Sequence, residues 1–236
     1  SILRIMIAST PVPTMRSVSS KSSHSNSAKA FDRATRGHGL LENFLSAKRA
    51  AMADRLIPAE LRGGSVLDIG CGTTPRFLRM CGFASRAGVD QLVERGAEVV
   101  VPRSDPVIRL KHFDAKHDER LPYGNAVFDA VTMLAVFEHI PVERLMLLLG
   151  EVDRVLKPGG VYVLTTPAGW TGPVLSMLKM LRLVSPEEID EHEDSYSPGM
   201  IRAILERTPL AGPRNEIQFG HFELGANVWG KVSKGQ

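Results

Sequence analysis

Three acidic residues close short apolar stretches at spacings that suit recognition of a nucleoside. Asp68 lies in Ser65-Val66-Leu67-Asp68-Ile69, Asp90 ends Gly88-Val89-Asp90, and Asp114 is held in Phe113-Asp114-Ala115. An ionised carboxylate only accepts hydrogen bonds, so at a strand end it can take both hydroxyls of a ribose in charge-assisted bonds stronger than neutral ones. Asp90, 22 residues after Asp68, is the candidate for that role, with Gln91 beside it. Asp114 is spaced to accept an adenine amino group while the Ala115 amide donates to a ring nitrogen. Any one of these acids reads as well as a solvated turn residue; all three in register argue for a site.

Gly70-Cys71-Gly72 follows the first acid directly. Glycines there permit a tight turn and a close backbone approach to a ligand, and Pro75 suits the start of the helix that follows. The dinucleotide fingerprint would require a third glycine where Pro75 stands, so the loop is glycine-rich without being a pyrophosphate cradle, and hydride transfer loses ground. Two histidines are candidates for moving a proton at a site of this kind. His139, in Phe137-Glu138-His139, leaves a strand at the ligand edge, and its alternative role is to order the loop and cap the helix after Pro141. His192 sits among Glu191, Glu193 and Asp194, neighbours that favour its protonated form and weaken it as a base. His112 and His117 lack a cysteine or a third histidine at ligand spacing, so no metal is implied.

The elements that position these residues alternate. Apolar runs at Ser65 to Ile69, Ala87 to Val89, Ala126 to Val136 and Gly160 to Thr166 read as strands. Helices are expected over Pro75 to Cys81 and over Pro141 to Leu156, the latter with Leu145, Leu148, Leu149, Val152 and Leu156 on one face. Such alternation predicts a doubly wound α/β fold with a mostly parallel sheet and right-handed crossovers. Leu41, Leu45, Met52 and Leu56 suggest an amphipathic helix that opens the folded domain, taken as 39–236. Only Glu223 to Ala226 separate Asn215–Phe222 from Asn227–Val232, too few for a crossover, so the chain should end in an antiparallel hairpin with Gly225 at its turn.

Residues 40–236 resemble a class I S-adenosylmethionine-dependent methyltransferase of the broad small-molecule type, similar to methyltransferase type 11 and the quinone-biosynthesis enzymes. The matching pieces are Leu67-Asp68-Ile69-Gly70-Cys71-Gly72, Gly88-Val89-Asp90, Phe128-Asp129-Ala130-Val131, Phe137-Glu138-His139-Ile140 and Arg154-Val155-Leu156-Lys157-Pro158-Gly159-Gly160. The resemblance implies a Rossmann-like seven-stranded sheet and S-adenosylmethionine as cofactor, with S-adenosylhomocysteine as product. It also implies roles: Asp68, Gly70, Cys71 and Gly72 around the methionine end, Asp90 on the ribose, Asp114 on the adenine, and Leu134 and Ala135 lining the methyl donor. One departure is Thr208-Pro209-Leu210-Ala211-Gly212-Pro213, where the family has Gly-Phe before the final hairpin.

Charge and composition narrow the acceptor. The net charge is +3, but Arg4, Arg16, Lys21, Lys29, Arg33 and Arg36 against Asp32 alone place +5 in the first 40 residues and leave −2 for the rest. A body so near neutrality carries no footprint for a phosphate backbone, which argues against a nucleic acid and for a small molecule or lipid precursor. The Ser-rich leader, 1–38, is expected to be disordered, and it reads as residues outside the native fold or, alternatively, as an organelle presequence. With two cysteines and no apolar run of spanning length, a cytoplasmic setting is expected. The excess chain over 168–198 should form the acceptor pocket. Its run 173–184 is open to three readings: a helical lid, a helix lying on a membrane surface, or a plain packing helix. A methyltransferase fold kept as a silent binding module is the competing functional reading.

Overall fold

The computed structural model describes residues 40–168 and 196–236. The leader 1–38, the run 173–184 and His192 lie outside the described residues. The described chain runs α1 (Leu40–Leu56), a 3-10 turn (Ala59–Gly63), β1 (Ser65–Ile69), α2 (Arg76–Met80), β2 (Ser85–Asp90), β3 (Glu98–Val100), β4 (Ile108–His112) and β5 (Phe128–Leu134). It continues with a 3-10 turn (Phe137–His139), α3 (Val142–Val155), β6 (Leu156–Pro167), α4 (Pro198–Leu205), a 3-10 turn (Pro209–Ala211), β7 (Glu216–Phe222) and β8 (Asn227–Ser233).

All eight strands join one sheet in the order β3-β4-β2-β1-β5-β6-β8-β7. The inner five, β4, β2, β1, β5 and β6, are mutually parallel. β8 is antiparallel to both β6 and β7, with Gly225 in the connecting turn at φ +86°, as the four-residue gap demanded. The sheet is thus mostly parallel with an antiparallel C-terminal hairpin, but eight-stranded where seven were expected.

The additional strand is β3, three residues paired antiparallel to β4 at the edge. Neither β3 nor β4 forms a continuous apolar run. In Ile108-Arg109-Leu110-Lys111-His112, Ile108 and Leu110 are fully buried, while Arg109 is exposed, Lys111 is half-buried, and both pair with Glu98. A strand covered on one face alternates, and a search for runs apolar on both faces passes over it.

One layer against the sheet is made by α1 and α2, with Ala50, Ala53, Ile57, Phe77 and Leu78 packed on Val66, Leu110, Ala130 and Val163. The inward face of α1 is therefore its small residues; Leu45, Met52 and Leu56 are only half-buried, so the leucine stripe read from spacing points to the border of the buried face. α3 behaves as its pattern required. Leu145, Leu148, Leu149, Val152 and Val155 are buried against Leu67, Val131, Tyr162 and Leu164, each such side chain contributing about 1.5–3 kcal/mol of transfer free energy. Where the family's Gly-Phe is missing, Leu210 drives the 3-10 turn into this same core, fully buried, and so anchors the entry to the hairpin.

The order of strands reverses between β1 and β5: β2 and β4 lie beyond β1, and β6 lies beyond β5. In an open parallel sheet, ligands bind at the carboxyl ends of the strands beside that switch point. The Gly70-Cys71-Gly72 loop leaves β1 at that place.

Candidate functional site

A cleft of about 520 Å³ opens at the carboxyl end of the sheet, lined by Ile69, Gly70, Asp90, Gln91, Phe113, Asp114, Ala115, Lys116, Val136, His139 and Ile140. It draws one turn each from β1, β2, β4 and β5. Of the residues singled out from the sequence, Gly70, Asp90, Gln91, Asp114, Ala115 and His139 meet on its wall.

The loop after β1 is tied to β2, because the Gly70 amide donates to the Val89 carbonyl at 2.8 Å and the Cys71 amide reaches the same oxygen at 3.3 Å. Gly70 and Gly72 adopt φ values of +72° and +65°, and a Cβ on Gly70 would stand 2.3 Å from Val136 Cγ2. Only glycine lets the backbone lie this close to the strand opposite. Pro75, at φ −70°, then caps α2.

Asp90 is buried at 8% exposure. Its Oδ2 accepts from the Gly72 amide at 2.7 Å and its Oδ1 from the Leu92 amide at 2.9 Å. One acceptor position per oxygen is thereby used and another remains, and that remainder is what a pair of vicinal hydroxyls requires. Burial raises the Asp90 carboxyl above its ordinary value against the pull of those two amides and of His112.

Asp114 is fixed by its own turn. Its Oδ1 accepts from the Lys116 amide at 2.9 Å, and its Oδ2 pairs with His117 Nδ1 at 2.8 Å. Partial burial pushes this carboxyl up, but the His117 hydrogen bond, the Lys116 amide and the His117 charge together outweigh it, and Asp114 sits below its ordinary value. Among the described residues the Ala115 amide donates to no acceptor, leaving a donor on the cleft wall beside an ionised acid.

Asp68, Cys71, Gly72, Leu134 and Ala135 do not line the cleft. Asp68 points under the loop and accepts from Thr132 Oγ1 at 2.7 Å; burial first, and then the charge of Asp90, pushes its carboxyl up to about 7 against the Thr132 bond. Burial and the two neighbouring acids also raise the Cys71 thiol well above its usual range. Leu134 packs toward the α1 and α2 layer, and Ala135 turns at φ +56° with its amide on the Thr165 carbonyl at 2.8 Å. That turn brings Val136 to the cleft.

Sequence reasoning missed Ile69, Phe113, Lys116, Val136 and Ile140. Each adjoins a residue that was found or lies within a quoted motif, so the signal was adjacency: where a strand runs out into a turn, neighbours of a site residue reach the ligand as well. Glu138, beside His139, is 2% exposed and accepts from Thr166 Oγ1 at 3.0 Å, which ties the turn after β5 to β6.

A doubly wound sheet with acids at the ends of β2 and β4, around a glycine turn without a pyrophosphate cradle, defines a class of enzymes that hold an adenosyl cofactor. A family model described as a methyltransferase domain matches residues 41–211, and the chain belongs to that family. Its cofactor is accordingly S-adenosylmethionine. Over 111 residues the chain is 34% identical to the Arabidopsis thaliana protein named Probable methyltransferase PMT5, a stretch that makes up 44% of this chain and 17% of that protein. The chain thus spans less than a fifth of that relative's length. Among solved structures it is similar to the plantazolicin methyltransferase BpumL in complex with S-adenosylhomocysteine (TM-score 0.56, 14% identity, 92% of each chain covered). It is also similar to the cyclase SpnF (TM-score 0.54, 14% identity, 80% of each chain covered). At such identities the likeness is one of fold.

Proposed function

We propose that this protein transfers the methyl group of S-adenosylmethionine to a small-molecule or lipid-precursor acceptor. The observation that carries the reading is the meeting of Gly70, Asp90, Asp114 and the unpaired Ala115 amide on one cleft wall at the switch point. In this reading the open acceptor positions of Asp90 take the ribose hydroxyls, with Gln91 alongside. Asp114 and the Ala115 amide read the adenine edge, and Phe113 and Ile140 give it apolar walls. The Gly70-to-Gly72 loop passes along the methionine end, and Asp68 supports that loop from beneath.

The cofactor supplies an electrophilic methyl group on a sulfonium. The chain's own contribution is alignment, an effect worth up to roughly 7–11 kcal/mol when acceptor and donor are held in line. His139 stands on the cleft wall where an acceptor would lose its proton, and we assign it that transfer; the alternative role, ordering the turn, is consistent with its amide donating to the Val136 carbonyl at 3.0 Å. His192 and the 168–198 insertion keep the parts expected of them as proposals, a second proton carrier and the acceptor pocket. Cys71 and Cys81 are both free thiols, and we place the chain in a reducing, cytoplasmic setting. No described helix is long and apolar enough to cross a membrane.

The second reading is a methyltransferase fold that binds without turnover, since a fold does not fix the chemistry done on it. Incubating the protein with S-adenosylmethionine and a metabolite extract, then searching by mass spectrometry for products heavier by one methylene, separates the two. A methylated product together with S-adenosylhomocysteine supports transfer. Binding of the cofactor with no product from any extract supports the silent module.

A further inference from the structure

Behind the cleft wall lies a second layer of polar contacts, whose side chains Asp118, Arg95, His112 and Arg144 do not line the cleft. Asp118 Oδ2 accepts from the Asp114 amide at 2.8 Å, and Asp118 Oδ1 accepts from Arg95 Nη1 at 2.9 Å. His112 Nε2 faces Asp118 Oδ2 at 3.5 Å. The other ring nitrogen of His112, Nδ1, lies 2.7 Å from the Val93 carbonyl oxygen, which can only accept, so Nδ1 carries the proton. From α3, the Arg144 guanidinium donates to the Asp118 carbonyl at 2.6 Å. The 90–95 turn, which carries Asp90, and the 114–118 turn, which carries Asp114, thus meet through the Arg95–Asp118 ion pair and through His112, whose Nδ1 bonds the Val93 carbonyl while its Nε2 faces Asp118 without a hydrogen bond. Asp118 and His112 are largely covered, at 21% and 14% side-chain exposure, whereas Arg95 is 66% exposed and adds little. The Asp114 amide, the Arg95 charge and His112 hold Asp118 below the ordinary carboxylate range against its partial burial, which keeps it ionised as an acceptor.

We propose that Asp118 is a positioning residue which, with His112, clasps the 114–118 turn to the 90–95 turn and so sets the site's selectivity for a 6-amino purine. The inference rests on the reading of Asp114 as the adenine acceptor. With its amide held by Asp118, Asp114 is committed to one orientation, and its carboxylate and the Ala115 amide stay at the spacing of a donor and an acceptor on one purine edge. Without Asp118, Asp114 keeps its own turn bonds to Lys116 and His117, so the turn survives but loses its anchor.

The test is calorimetric titration of S-adenosylhomocysteine and of S-inosylhomocysteine, whose 6-oxo group replaces the amino group, into wild type, Asp118→Ala, Asp118→Asn and His112→Leu. Wild type should prefer the adenosyl ligand. Asp118→Ala should bind that ligand about tenfold more weakly while changing little toward the inosyl ligand, so that selectivity collapses. Asp118→Asn keeps an oxygen for the Asp114 amide and should restore most of the selectivity, which ties the loss to that hydrogen bond, whereas a merely structural role would weaken both ligands alike. His112→Leu cuts the other side of the clasp, leaves the Asp118–Asp114 bond, and should weaken both ligands about threefold without altering their ratio. Wild-type selectivity in Asp118→Ala overturns the clasp, as does an equal loss of both ligands. If that variant does not fold, selectivity in Asp118→Asn fallen to one overturns it instead. A wild type that binds neither ligand overturns the cofactor reading and this inference with it; a wild type that discriminates beside a variant that does too overturns the clasp alone.

Discussion

The ends of β1, β2 and β4 and the end of β5 meet in one cleft but are built by different means. On the first side the acids are tied to backbone amides: Gly72 and Leu92 donate to Asp90, Lys116 donates to Asp114, and the Asp114 amide donates to the Asp118 carboxylate. On the second side the wall is set by packing. Ala135 turns at positive φ, Val136 closes on Gly70, and Phe137 stacks edge-on against the buried Tyr196 at 5.0 Å. Turns locked by backbone amides suit a ligand that does not change, because most of their geometry is written close by in the chain. A packed wall can be reshaped by any neighbour that moves, and this is how one fold comes to serve different acceptors.

The contrast can be broken most forcefully at the buried acid beneath the locked side. Asp68 has a folded value of about 7 against an ordinary 3.8, so the stability it allows is fully present below about pH 4 and is lost as pH rises through about 7. Asp68→Asn should remove that dependence and raise stability at pH 8, by about 4 kcal/mol at most on the size of the shift, seen as a flattened profile of thermal midpoint against pH. A profile parallel to that of wild type would mean that Asp68 is not the group held neutral under the loop.

On the packed side, His139→Ala should lower kcat by about a hundredfold for an acceptor that loses a proton while leaving affinity for S-adenosylhomocysteine within about threefold. An equal loss of affinity would move His139 to the cofactor. At the seam between the two sides, Gly70→Ala must hold a strained φ and push against Val136, costing about 2–3 kcal/mol, or roughly 5–10 °C in midpoint. Adding Val136→Ala should return the part due to collision but not the part due to backbone strain. The smallest effect belongs to Asp114→Ala, about tenfold in affinity for S-adenosylhomocysteine and little in stability, measured by the same titration.

The locked side was legible in the sequence because its signals are local: an acid at a strand end, glycines that follow it, and a proline at the next helix. The packed side was not. In Met133-Leu134-Ala135-Val136 the turn at Ala135, which sets Val136 on the cleft wall, is not visible in the sequence. β4 escaped because charged residues alternate with apolar ones along it, and β3 because three residues carry no period. The hairpin was legible down to its turn, since a four-residue gap admits no other connection. A strand-end acid looks the same in sequence whether it points into a cleft or under a loop, and the hydrogen bond of Asp68 to Thr132, 64 residues away, leaves no mark in the local sequence.

The central claim, that the ends of β1, β2 and β4 hold S-adenosylmethionine through Asp90, is tested most directly by titrating S-adenosylhomocysteine into wild type and Asp90→Ala. Two charge-assisted hydrogen bonds at about 1.5–3 kcal/mol each predict saturable binding by wild type and none by the variant at about millimolar ligand. Equal affinity in the two proteins would contradict it, as would a wild type that binds no S-adenosylhomocysteine at that concentration.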